Sequence, residues 1–155
     1  MKNLILAAAL FFACPLFAQS HPIQVTIVSI DNTQTSQTMA NMLTGRIGAS
    51  SRYSLVSAAA FDTDILLGVG CLPNIVAGKQ VGVTCDTELS YWPVDGVALS
   101  CVLEGNLAVG SESEVAEMLF DEFIRVTSNE ALAKAAKEFK HNLNLAIARF
   151  PHGVV

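Results

Sequence analysis

Along this chain, stretches whose apolar residues fall at every second position give way to stretches where they fall every three or four, and that succession predicts the elements. Residues 23–30, IQVTIVSI, are β-branched and almost continuously apolar, the pattern of a first strand covered on both faces. Behind Asp31 and Asn32 as caps, Met39, Met42, Leu43, Arg46 and Ile47 recur at helical spacing, which predicts a covering helix with one apolar face. RYSLVS, residues 52–57, reads as a second strand. Strand, helix and strand in so short a length argue for a right-handed crossover with the two strands parallel.

The next runs alternate. Ile65, Leu67, Val69 and Cys71 share one face of a third strand, and Val81, Val83 and Cys85 share one face of a fourth. PNIVAGKQ, residues 73–80, separates them and reads as a hairpin loop. Asp95-Gly96 is a favoured two-residue turn into a fifth strand with Val97, Leu99, Cys101 and Leu103 alternating, and Gly105 marks a bulge or bend near its end. These three strands form an antiparallel meander. Ser111 and Glu114 make a capping box that opens a helix with a wide apolar arc through Val115, Ala116, Leu119, Phe120, Phe123, Ile124 and Val126. A last helix follows, with a stripe through Leu132, Ala136, Phe139, Leu143, Ile147 and Phe150, and Pro151 ends it. The order β-α-β-β-β-β-α-α predicts an α/β (α+β) fold: one mixed sheet with helices packed on it.

The first 18 residues depart from both periods. Lys2, an apolar run over residues 4–12 and small residues after it form the layout of a secretory signal cut after Ala18, which leaves residues 19–155 as a single domain. The run is too short to span a bilayer, and lipidation at Cys14 is the lesser alternative to cleavage. A periplasmic or secreted location is therefore expected. Without Lys2, 8 basic residues face 14 acidic ones, a net charge of −6, which disfavours nucleic acid and anionic membrane as partners, and no stable membrane insertion is expected.

Cys71, Cys85 and Cys101 remain after cleavage, an odd number for an oxidising compartment. Reflecting the hairpin about Gly78 sets Cys71 opposite Cys85 on one side, within disulfide reach, whereas a turn at Asp95-Gly96 sets Cys101 opposite Ser90 as the remaining thiol. A register slip of one residue would instead leave three reduced core cysteines.

No catalytic, metal or cofactor motif occurs. Asp62 and Asp64 are read as punctuation, with Asp64 capping the amides of its connector, rather than as an acid and base pair. His21, His141 and His152 have no partners at metal-binding or nucleophilic spacing, and Ser36, Ser113 and Ser128 suit helix capping or solvation. The surface residues that stand out are Tyr91, Trp92 and Asp95, an aromatic pair beside a turn, and the acidic helix face that includes Glu117 and Asp121. The last helix carries the opposite charge at Lys134, Lys137, Lys140 and Arg149.

RYSLVSAAAFDTDILLGVG, through Arg52, Tyr53, Leu55, Val56, Asp64, Ile65, Leu66 and Gly68, resembles the paired strands of the amino-terminal domain of TolB and the related CsgG-type and LpoB-type envelope domains. The likeness extends over residues 23–109. It implies an open α/β sheet that serves envelope assembly and protein contact without catalysis. The expected function is a non-catalytic module that binds another cell-envelope protein; the alternatives are a small-molecule or glycan-binding protein using the aromatic end, and a hydrolase without a recognisable motif. The oligomeric state is left open. Mass spectrometry of exported protein is expected to find an amino terminus at Gln19; a lipidated Cys14 or a retained Met1 would refute the cleavage site.

Overall fold

The computed structural model describes residues 21–58, 63–91 and 101–149. Five strands and three helices follow in the expected order: β1 (Ile23–Ser29), α1 (Gln34–Gly48), β2 (Tyr53–Leu55), β3 (Ile65–Val76), β4 (Lys79–Tyr91), β5 (Cys101–Gly110), α2 (Glu112–Val126) and α3 (Asn129–Arg149). They build an α+β fold around one mixed sheet of order β2-β1-β3-β4-β5, parallel from β2 to β3 and antiparallel from β3 to β5.

β2 has only three residues, and that shortness explains a connector too brief for an ordinary parallel crossover. Val25 of β1 pairs with Leu55, the last residue of β2, and with Ile65, the first of β3. The chain therefore has no strand length to retrace; it steps across β1, roughly 10 Å at the usual strand spacing. Val56 N donates to Val25 O on one side (2.9 Å) and Asp64 N donates to Gln24 O on the other (3.0 Å). The Asp64 carboxylate also accepts from Gln24 N at 2.9 Å, so it caps an amide of β1; residues 59–62 of its own connector lie outside the described residues.

α1 and α2 pack on one face of the sheet and against each other. Met39, Leu43 and Ile47 from α1 and Val115, Leu119 and Phe123 from α2 close over Val25, Ile65, Leu67, Val69, Val83 and Leu89. Among the described residues no helix packs on the opposite face of the sheet, yet Thr26, which points that way, is 2% exposed. The Ile30 end of β1, 54% exposed, lies over Gly68 and Gly70, where a side chain at 68 would come within 3.0 Å of it. Thr33, rather than Asp31 or Asn32, is the N-cap of α1 and accepts from Ser36 N; Asp31 acts one step back by accepting from Thr33 N.

The β3–β4 hairpin is longer than predicted. Pairing runs through residues 73–76 and 79–82 to a two-residue turn, where Ala77 (φ 50°) and Gly78 (φ 76°) both take the left-handed backbone that matches strand twist. A turn of this length is centred between Ala77 and Gly78, which by itself would put Cys71 opposite Thr84. The ladder shifts by one residue at Asn74/Ile75, because Gly82 and Gln80 are paired while Val81 between them is not. The bulge restores Cys71 to Cys85, and the two form a disulfide, with Cα atoms 4.1 Å apart. A second shift between Glu88 and Ser90 leaves two residues, Leu103 and Glu104, opposite one, next to Gly105 as anticipated. It pairs Cys101 with Tyr91, not with Ser90; the Cys101 side chain lies outside those described.

Ser36 is neither solvated nor simply a cap. It is fully buried, Cys71 N donates to its Oγ at 2.7 Å, and the hydroxyl lies 3.3 Å from Cys71 O, to which it donates. β1 stops pairing with β3 after Ile30 N donates to Val69 O, so this one side chain takes over the backbone groups that a longer β1 would have bonded. Ser36→Ala leaves a buried amide unsatisfied and is expected to lower stability by about 1–3 kcal/mol, read by denaturant unfolding. A loss indistinguishable from zero would show that the amide finds another partner. Peptide mapping without reductant is expected to recover a Cys71–Cys85 crosslink.

Candidate functional site

Tyr91 is the described member of the aromatic end; Trp92 and Asp95 lie outside the described residues, as does Asp62. The Tyr91 ring packs half-buried against the core, and burial, then the negative charge of Asp64, raise its phenol above the ordinary value. Both causes are structural, and Asp64 is committed to Gln24. His21 and His141 are exposed, and no group of three His, Cys, Asp or Glu side chains able to hold a metal occurs among the described residues.

Arg52 and Tyr53 join the β2 end of the sheet to the helices. The Arg52 guanidinium donates to Thr127 O (2.6 Å) and Asn129 Oδ1 (2.9 Å), and the Tyr53 hydroxyl meets the buried Thr127 hydroxyl at 2.7 Å. Tyr53 also stacks at a tilt on Phe123, with ring centroids 5.1 Å apart. β2 thereby clamps the junction between α2 and α3, and Ser128 begins α3 by accepting from Ala131 N.

The acidic face of α2 forms a real concavity. Glu114, Glu117 and Asp121 surround the exposed side chain of Met118 and, with Val109 of β5, line an open groove of about 450 Å³. Glu114 belongs to the predicted capping box: Glu114 N donates to Ser111 Oγ while its carboxylate accepts from Ser111 N at 3.0 Å. The Ser111 hydroxyl, then the Ser111 amide, hold that carboxyl below the usual glutamate range. Inside the core, by contrast, the space between Leu43, Leu89 and Phe123 is only about 10 Å³, no larger than about one water position.

A surface not anticipated from the sequence is the distal β3–β4 arm. Leu72, Ile75, Val76 and Val81 are 65%, 63%, 61% and 60% exposed, the most exposed large apolar residues described. Strands this apolar usually face a core, yet among the described residues nothing covers these four side chains beyond Val83, which is still buried. The arm is stiffened at its base by the disulfide and by Thr84 Oγ1 donating to Asn74 Oδ1 at 3.0 Å. Its free edge is blunted. Cys71 points its backbone groups away from β4 toward Ser36, so Pro73, two residues on, places its missing N–H on that same outer edge. The arm therefore offers side chains more than a template for strand addition. Its one sequence signal was the presence of Ile75 and Val76 in the run 73–80 that reads as a hairpin loop.

No family model and no curated protein matches the chain. Among solved structures, a hypothetical protein of Chlamydia trachomatis aligns with 5% identity and a TM-score of 0.47, over 68% of this chain and 95% of that one. A putative neuraminyllactose-binding hemagglutinin homolog of Helicobacter pylori aligns with 10% identity and a TM-score of 0.26, over 79% of this chain and 91% of that one.

Because its folded pKa is depressed, the Glu114 carboxylate contributes stability above its unfolded value near 4.5, and that contribution is lost as pH falls through the lower folded value. Glu114→Gln keeps a back-bonding side chain without the charge. The wild type is expected to melt higher than this variant at neutral pH and to converge with it in acid; parallel curves across the whole range would contradict the assignment.

Proposed function

We propose that this chain is an exported, non-catalytic α+β module that binds another cell-envelope protein, and that the β3–β4 arm is its binding element. The observation that carries the reading is that Leu72, Ile75, Val76 and Val81 are each at least 60% exposed within one short hairpin arm closed by a disulfide, Leu72 and Val76 on one face of β3 and Ile75 on the other. Apolar side chains left in water in such a group characterise contact surfaces. A rigid arm also loses little conformational entropy on docking. The disulfide is compatible with a location outside the cytoplasm, and among the described residues no helix is long and apolar enough to cross a membrane.

Protein is favoured over glycan because the arm presents hydrocarbon with few directional donors, whereas sugar sites place polar groups around an aromatic platform. The acidic balance of the chain disfavours anionic lipid. The likeness of residues 52–68 to envelope domains that serve assembly is consistent with the same role.

The test is site-specific photo-crosslinking in intact envelopes, comparing the wild-type arm with a Leu72→Ser, Ile75→Ser, Val76→Ser, Val81→Ser variant. A discrete protein adduct is expected from the wild type and at least a tenfold weaker one from the variant, with melting temperature and disulfide preserved, since exposed substitutions cost about 0.5 kcal/mol or less each. An adduct unaffected by the substitutions would refute the arm as binding element. Co-sedimentation of the wild type, but not the variant, with lipid vesicles would replace the protein partner with a bilayer.

A further inference from the structure

α3 is 21 residues long, yet its buried side chains among those described, Leu132 and Ala135, both lie in its first two turns. From Lys137 onward the described side chains are exposed, apart from the half-buried Phe139, and Leu145 is 47% exposed. The described side chains of this stretch thus draw little stability from packing, and a helix without such cover is marginal in water. The distal half of α3 therefore calls for a surface to lie on, and the charge pattern of the molecule points to one.

On α2, Glu114, Glu117, Met118 and Asp121 form a stripe at offsets i, i+3, i+4 and i+7, and it lines the groove described above. On α3, Lys134, Lys137, Glu138 and His141 form a stripe at the same offsets along a second open groove, of about 530 Å³. We infer that two copies of this chain associate by laying α3 of one along the groove of α2 of the other. Set side by side in the same direction, the helices bring Glu114 to Lys134, Glu117 to Lys137 and Asp121 to His141. Met118 and Val109 then supply the apolar floor on which lysine stems lie while their ammonium groups reach the carboxylates. Glu138 falls opposite Met118 and not opposite an acid; within its own helix its carboxylate lies 3.9 Å from Lys134 Nζ. Each copy carries both stripes, so one two-fold axis satisfies both at once and closes the assembly as a dimer.

This contact is separate from the arm and is tested on purified mature chain alone. Sedimentation equilibrium is expected to show a dimer whose dissociation constant rises at least tenfold between about 0.05 M and about 0.5 M salt, because its charges are screened. Two charge-swapped variants at the Glu117–Lys137 pair are decisive: Lys137→Glu and Glu117→Lys. Both positions are exposed, so both proteins should fold, which circular dichroism and the melting temperature check. Each variant alone opposes like charges at both contacts and should be monomeric. An equimolar mixture restores opposite charges at both contacts and should return the dimer. A wild type monomeric throughout the range, a dimer indifferent to the swaps, or a mixture that stays monomeric would each overturn the inference.

Discussion

The β3–β4 register is the constraint on which the other features depend. A two-residue turn at Ala77 and Gly78 sets one alignment, and the unpaired Val81 shifts it by one residue before the chain reaches the core. Strand side chains alternate, so without that shift Cys85, Thr87 and Leu89 would exchange faces with their neighbours relative to β3, and Asp86 and Glu88 would turn toward α1 and α2. The disulfide locks the corrected alignment from the core side, where Cys71 and Cys85 are both fully enclosed.

From that locked point the sheet is built outward. Cys71 is bonded covalently to β4 through its side chain and by hydrogen bonds to α1 through its backbone, so the buried hydroxyl of Ser36 joins the helical layer to the sheet where β1 ends. Beyond it Pro73 removes a donor from the free edge, and past the buried Val83 the paired strands continue as an arm whose large apolar side chains are exposed. β2 serves at the opposite margin: too short to shape the sheet, it holds the start of α3 through Arg52 and Tyr53.

The two projecting elements leave α2 at different ends. Gln80, in the arm, donates to Glu112 at the start of α2 (3.1 Å), whereas α3 departs after Thr127 at its finish. About 20 Å of helix lies between them at 1.5 Å per residue. The proposed association of copies runs along Glu114 to Asp121 of α2, whereas the tip of the arm projects past the start of that helix, and the proposed dimer would present two arms. Multivalent display of that kind strengthens attachment to a partner that is itself repeated.

Much of this architecture was legible along the chain because it follows from local periodicity and capping. The order of the eight elements, the Ser111–Glu114 box and the parallel relation of β1 and β2 all depend on residues close in sequence or on general rules of connection. The Cys71–Cys85 pairing was legible for a partly fortuitous reason: reflection about Gly78 lands on the true register only because a bulge offsets a turn centred half a residue earlier. Of the surface residues singled out, Glu117 and Asp121 do line a groove, while Tyr91 serves packing. What sequence could not decide was which apolar residues remain without cover. Hydrophobicity states a preference for burial, but whether Leu72, Ile75 and Val81 are satisfied depends on where helices placed far along the chain come to rest. Ser36 was misread for the same reason: its partner, Cys71, is 35 residues away, and only the folded chain brings the amide of one to the hydroxyl of the other.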